Sequence, residues 1–173
     1  MPGHPRVLVS SVDVGVTSVA TFDMHPKATT TYTAVWAGDE WYTSSHDTAD
    51  VAVHPRVHDK LTGGSPGSGG VRTYHYTPSC GSSGRGCPGL VGWLSPKHAG
   101  KRLTFLIQLH TSSGWRSLGS AAFRMRSSGR AWAVLVYRST AVIGQLQRFR
   151  AIFDGDIDHL GGKGPWKKFK IGG

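Results

Sequence analysis

The two cysteines, Cys80 and Cys87, sit in the stretch Ser79-Cys80-Gly81-Ser82-Ser83-Gly84-Arg85-Gly86-Cys87-Pro88. Two sulfurs seven residues apart in so flexible a segment can meet, and a disulfide is the expected pairing, with two free thiols as the alternative. Closing so short a loop contributes only about 2 to 3 kcal/mol, so the bond would shape the loop more than hold the fold. It would also favour an oxidising, extracellular setting. No paired histidines stand at finger spacing beside them, so the cysteines do not form a zinc site.

The run Asp154-Gly155-Asp156-Ile157-Asp158 begins like a calcium loop, but His159 stands where such a loop needs Gly and Pro165 where it needs a bidentate Glu. An Asp-stabilised turn is the reading we adopt, and no metal or cofactor is expected. Gly63-Gly64-Ser65-Pro66-Gly67 matches the nucleophile-elbow pattern, yet no strand precedes it and no helix follows. The nine histidines include His46-Asp47, His58-Asp59 and Asp158-His159. Neighbours on a strand face opposite ways and cannot relay charge to one another. Glu40 is the only glutamate, which leaves little for paired-carboxylate chemistry. A non-catalytic protein is expected, since an enzyme would need a distributed triad that no spacing implies.

The basic residues are the stronger candidates. Arg124/Arg126, Arg148/Arg150 and Lys168/Lys170 each lie two apart in a strand-like segment, opposite its apolar positions. They should project from the solvent side of a sheet as a cationic stripe, with Trp166 near its end. Trp93, Trp115 and Trp132 are expected to pack in the core or at an edge. Net charge is +10, unevenly spread: residues 1–54 sum to about −4 and residues 55–173 to about +14. The basic part suggests an anionic partner, either a wall polymer or the acidic part of another copy. Nucleic acid is disfavoured because no base-reading motif accompanies the charge.

The elements that must position these residues are strands. Asn is absent, while 24 glycines and many Thr, Ser and Val favour turns and strands over helix. At 38% hydrophobic content the chain can build a core, but apolar runs such as 131–137 fall far short of the roughly 20 residues of a membrane span. No export leader is recognisable, so the expectation is either that a leader was removed or that the sequence is a piece of a longer chain.

An internal repeat organises the chain. Thr31-Tyr32-Thr33-Ala34-Val35-Trp36-Ala37-Gly38-Asp39 lies over Arg148-Phe149-Arg150-Ala151-Ile152-Phe153-Asp154-Gly155-Asp156 at an offset of 117 residues. In both copies aromatic, Ala and aromatic alternate (Tyr32, Ala34, Trp36; Phe149, Ala151, Phe153), the pattern of a half-buried strand. Both strands then run into Gly-Asp (Gly38-Asp39 and Gly155-Asp156), where Gly tolerates positive φ and the Asp side chain accepts backbone N–H bonds. A closing strand follows each, over 49–53 and 169–171.

These motifs resemble the immunoglobulin-like repeats found in tandem in secreted and cell-surface actinobacterial proteins, whose last strands read aromatic-x-Ala-x-aromatic-x-Gly-Asp. Ser95-Pro96-Lys97-His98-Ala99-Gly100-Lys101-Arg102-Leu103-Thr104 is similar to the start of the family's second strand. The resemblance implies an all-β fold in which a complete Ig-like β-sandwich follows a partial one.

In the complete domain, residues 55–173, strands are expected at 57–61, 71–76, 101–110, 115–125, 130–137, 148–153 and 167–171, with a Gly/Ser-rich loop at 62–70 and the Cys loop at 80–87. Residues 1–54 hold only 7–12, 16–22, 30–36 and 49–54, too few to close a sandwich. Whether strands are missing internally or from the front stays open. The expected function is therefore structural: a secreted or cell-surface module that associates with copies of itself or another protein chain, through strand complementation or as a head-to-tail filament. The alternative is an envelope-binding module that docks an anionic wall polymer on its cationic face.

Overall fold

A computed structural model describes residues 7–12, 19–79 and 86–173 of the chain. The protein is an all-β sandwich preceded by a two-stranded sheet. Strands β1 (Thr30–Trp36) and β2 (Ser45–Val51) form that antiparallel hairpin, in the register Tyr32 opposite Ala49 and Trp36 opposite Ser45.

The sandwich has β3 (Arg56–Thr62), β4 (Ser65–Pro66), β5 (Arg72–His75), β6 (Gly89–Ser95), β7 (Arg102–Thr111), β8 (Gly114–Arg124), β9 (Arg130–Val134), β10 (Leu146–Phe153), β11 (Gly162–Lys163) and β12 (Lys167–Gly172). One sheet has the order β3-β6-β9, and the other β4-β5-β12-β10-β7-β8, with β11 paired to β10. The first, second and fifth full strands against the last, sixth and third is the strand order of an immunoglobulin sandwich, A-B-E facing G-F-C. The chain changes sheets in the loop 63–71, after which β5 runs parallel to β12. Gly63 and Gly64 make that crossing, both at positive φ (75° and 61°). Ser65 of the elbow-like motif pairs with Thr73 in β4 and β5.

The core lies between the sheets. Val57, Leu61, Leu90, Leu94, Ala131 and Ala133 come from the smaller sheet; Tyr74, Leu103, Phe105, Phe149, Ala151, Phe153, Phe169 and Ile171 come from the larger. Alternation is strict along β10, where Gln147, Phe149, Ala151 and Phe153 are buried and the residues between them are not. At Gly92 a side chain would meet the Phe105 ring at 2.8 Å, so the bare backbone lets the two sheets close there.

Strand β6 was not anticipated. Its Gly-Leu-Val-Gly-Trp-Leu-Ser sequence lacks a polar alternation because it is the central strand of its sheet, with Leu90, Gly92 and Leu94 facing the core and neighbours on both edges. The segment 95–104 is accordingly the turn between β6 and β7 and the start of β7, rather than the start of a second strand. Before β1, residues 7–12 and 19–22 are irregular where strands were expected, since no strand among the described residues pairs with them to take their hydrogen bonds. Residues 16–18 of the second expected strand lie outside the described residues.

Candidate functional site

The outer face of the larger sheet carries four of the six predicted basic residues together. Inward Phe149 and Phe169 force Arg148, Arg150, Lys168 and Lys170 outward, and the register sets Arg148 opposite Lys168 and Lys170 opposite Leu146. Arg124 shares this face but sits opposite Arg102 at the far end of β7 and β8, while the backbone of Arg126 lies in the turn before β9. Among the described residues, no ion pair involves Arg148, Arg150, Lys168 or Lys170.

Two of the four are nevertheless engaged. The Arg148 guanidinium lies 4.1 Å from the ring centre of Trp115 and 4.0 Å from that of Trp166, and Arg150 lies 4.2 Å from Trp166 on the same ladder. Arg148 also donates to Gln108 Oε1 from Nε (2.8 Å) and Nη2 (2.6 Å). Desolvation under the rings, then the charge of Arg150, hold the Arg148 guanidinium below its ordinary range. Each cation–aromatic contact is worth about 0.5 to 2 kcal/mol. Trp115, on the edge strand β8, is thus a rung of this ladder, and of these four basic residues only Lys168 and Lys170 are exposed. On the opposite sheet Trp93 stacks on His58 at 5.1 Å, and Trp132 is 49% exposed.

The second surface is the hairpin. Tyr32, Ala34 and Trp36 share one face of β1 with Ala49 and Val51 of β2, and Trp36 is 42% exposed. The predicted turns are equivalent at atomic detail. Gly38 (φ 84°) and Gly155 (φ 96°) precede them; Asp39 N donates to Tyr42 O and Asp156 N to His159 O, both at 2.9 Å. Asp39 Oδ1 accepts from Trp41 N and Tyr42 N, and Asp156 Oδ1 from Asp158 N. By this criterion β1 and β2 correspond to β10 and β12, the closing hairpin of a sandwich.

The turn after β10 is also where the hairpin unit meets the sandwich. Thr29 N donates to Asp158 O (2.6 Å), Leu160 N to Val53 O (3.0 Å), and His159 Nε2 to Lys27 O (2.8 Å). His159 Nδ1 lies 3.0 Å from His98 Nε2 and 3.3 Å from Asp156 Oδ1, and Lys101 Nζ lies 3.1 Å from Asp156 Oδ2. Burial works to raise the Asp156 carboxyl, but hydrogen bonds from Lys101 and Asp158 N, the contact with His159 and the Lys101 charge outweigh it and hold the group below the usual carboxylate range. His98 and His159 stand 61 residues apart, and sequence reasoning passed over the pair. The Asp-x-x-His spacing within the turn was the one available signal.

No protein-family model matches the chain, and no curated protein matches it. No helix among the described residues is long and apolar enough to cross a membrane. Cys87 is buried beside the Thr77 hydroxyl, whereas Cys80 lies outside the described residues.

Proposed function

We propose that this chain is a non-catalytic structural module of a secreted or cell-surface protein that associates with another chain through the open face of its hairpin. The resemblance to tandem Ig-like repeats and a Cys80–Cys87 bond belong to the same reading. The observation that supports it is the exposure of Trp36 and Ala34, with Tyr32 half-buried, at positions whose counterparts, Phe153, Ala151 and Phe149, form the centre of a core. A two-stranded sheet with a bare apolar face gains by accepting strands from outside, which cover the face and pair its open edges in one step. The acidic charge of residues 1–54 against the basic remainder favours a second copy as that partner. Where such a head-to-tail contact does not close into a ring, it propagates as a filament.

Sedimentation velocity across protein concentration and salt tests this. Oligomers should grow with concentration and shrink as salt rises, and Trp36→Asp should abolish them. A monomer at every concentration, for both chains, refutes the association. Intact mass after alkylation without reduction checks the bond, since uptake of two alkyl groups would rule it out.

The exposed Lys168 and Lys170 beside an arginine ladder favour a second reading, an anionic polymer of the cell envelope bound on this face. Replacing both lysines with Ser should weaken binding to a polyphosphate-backbone polymer and flatten its salt dependence. Unchanged binding would remove this reading.

A further inference from the structure

Two neutral imidazoles have two N–H groups between them, and at the junction both are committed elsewhere. A carbonyl oxygen only accepts, so His98 Nδ1 must donate to Pro96 O (2.5 Å) and His159 Nε2 to Lys27 O (2.8 Å). That leaves His98 Nε2, His159 Nδ1 and Asp156 Oδ1 as three lone-pair donors converging on one point, all within 4.8 Å of one another. Both histidines are only 8% exposed, so water cannot readily separate them. Such a cluster calls for a cation at its centre.

We propose that His98, Asp156 and His159 bind a divalent transition ion of the zinc class, which clamps the hairpin unit to the sandwich. The donor set suits it: two imidazoles and a carboxylate, with a solvent molecule to complete four-coordination. Two of the three separations, 3.0 and 3.3 Å, are near the edge of a tetrahedron built on bonds of about 2.0 to 2.1 Å, and the third pair lies within 4.8 Å. The outer contacts suit it as well, since each ligating imidazole already donates its far N–H to a backbone carbonyl, which fixes tautomer and ring direction. The Phe153 ring, its centre 5.6 Å from that of the His98 ring and packed edge-to-face, holds the latter in place. Lys101 occupies Asp156 Oδ2, while Oδ1 accepts from Asp158 N and keeps its second lone pair for the ion. Because Lys27 O belongs to the segment leading into β1, an ion on His159 ties that segment to the turn after β10.

The full-length chain, stripped with a chelator and titrated with Co²⁺, tests the site. Uptake should saturate at one equivalent with the visible bands of four-coordinate cobalt, and Zn²⁺ should displace it. His98→Gln and His159→Gln should each lower the affinity more than about tenfold, while His46→Gln, on the exposed β2, leaves it unchanged. Absence of saturable uptake, or a spectrum indifferent to His98→Gln, overturns the site. Should these variants not fold, X-ray absorption of the zinc-loaded native chain decides, since fewer than two imidazole ligands refutes the assignment. Amide exchange at Thr29 and Leu160 should slow on loading, and unchanged rates would overturn the clamp.

Discussion

The protein contains the same hairpin twice, once covered and once bare. In the sandwich, Phe149, Ala151 and Phe153 are buried to 0%, 0% and 3% exposure by the strands of the opposite sheet; in the hairpin before it, Trp36 is left 42% exposed at the position matching Phe153. Local structure is the same in both, with an aromatic-Ala-aromatic strand ending in a glycine at positive φ and an Asp that accepts backbone N–H bonds. What differs is the opposing layer. The pair therefore separates what alternation and turn chemistry accomplish alone from what burial adds.

The largest effect should come from removing the equivalent aromatic in each copy. Phe153→Ala takes a core ring from the sandwich and should cost about 3 to 5 kcal/mol in denaturant unfolding. Trp36→Ala in dilute monomer should cost less than about 1 kcal/mol, because the ring is half in water already. Equal losses would mean that the hairpin face is covered in the free chain, and the contrast would fail.

A smaller effect should follow at the turns. Gly155→Ala places a Cβ 3.0 Å from Gly161 N and His159 O at a φ of 96°, and should cost about 1 to 2 kcal/mol of sandwich stability. Gly38→Ala, just as strained at a φ of 84°, should loosen the β1–β2 hairpin without moving the global melting temperature. Hydrogen exchange by segment would show it. A shared drop in melting temperature would instead join the two units into one cooperative block.

The last contrast is a tilt in the pH profile, found only on the covered side. Asp59 of β3 has its side chain fully buried, and its Oδ2 accepts from Ala151 N at 3.1 Å. Its Oδ1 has no hydrogen-bond partner, with Lys167 Nζ at 3.9 Å. Burial pushes its carboxyl up to about 6, against the bond from Ala151 and the charges of Lys167 and Arg150. The folded state then holds a proton that the unfolded chain has released, so stability should fall as pH rises from about 4 to 6 and level off above. Asp59→Asn should flatten that stretch of the profile in urea-melt midpoints. An unaltered slope would place the titration elsewhere.

Much of the fold was legible because strand parity is a local property. The strands at 57–61, 71–76, 101–110, 115–125, 130–137, 148–153 and 167–171 all coincide with observed ones, give or take their ends, and the outward Arg148/Arg150 and Lys168/Lys170 follow from the inward Phe149 and Phe169. Strand β6 escaped notice because a strand with neighbours on both edges and glycines facing a core need not alternate. The segments 7–12 and 19–22 were over-read for the opposite reason: valine-rich sequence favours extension, but a strand exists only where a neighbour pairs with it. The arginine ladder was half visible, since Trp166 adjoins β12 in sequence while Trp115 reaches Arg148 only through the pairing of β10, β7 and β8.

By itself the sequence determined the class of element, the inward and outward residues along most strands, and the two Gly-Asp turns, because each rests on a period of two or on one residue's backbone freedom. The tertiary structure decided which sheet each strand joins, which of two like hairpins is covered, and that His98 meets His159 across 61 residues. Those are long-range matters. They depend on how two sheets stack around Phe105 and Gly92, and no local pattern in the chain encodes which distant side chains that stacking brings face to face.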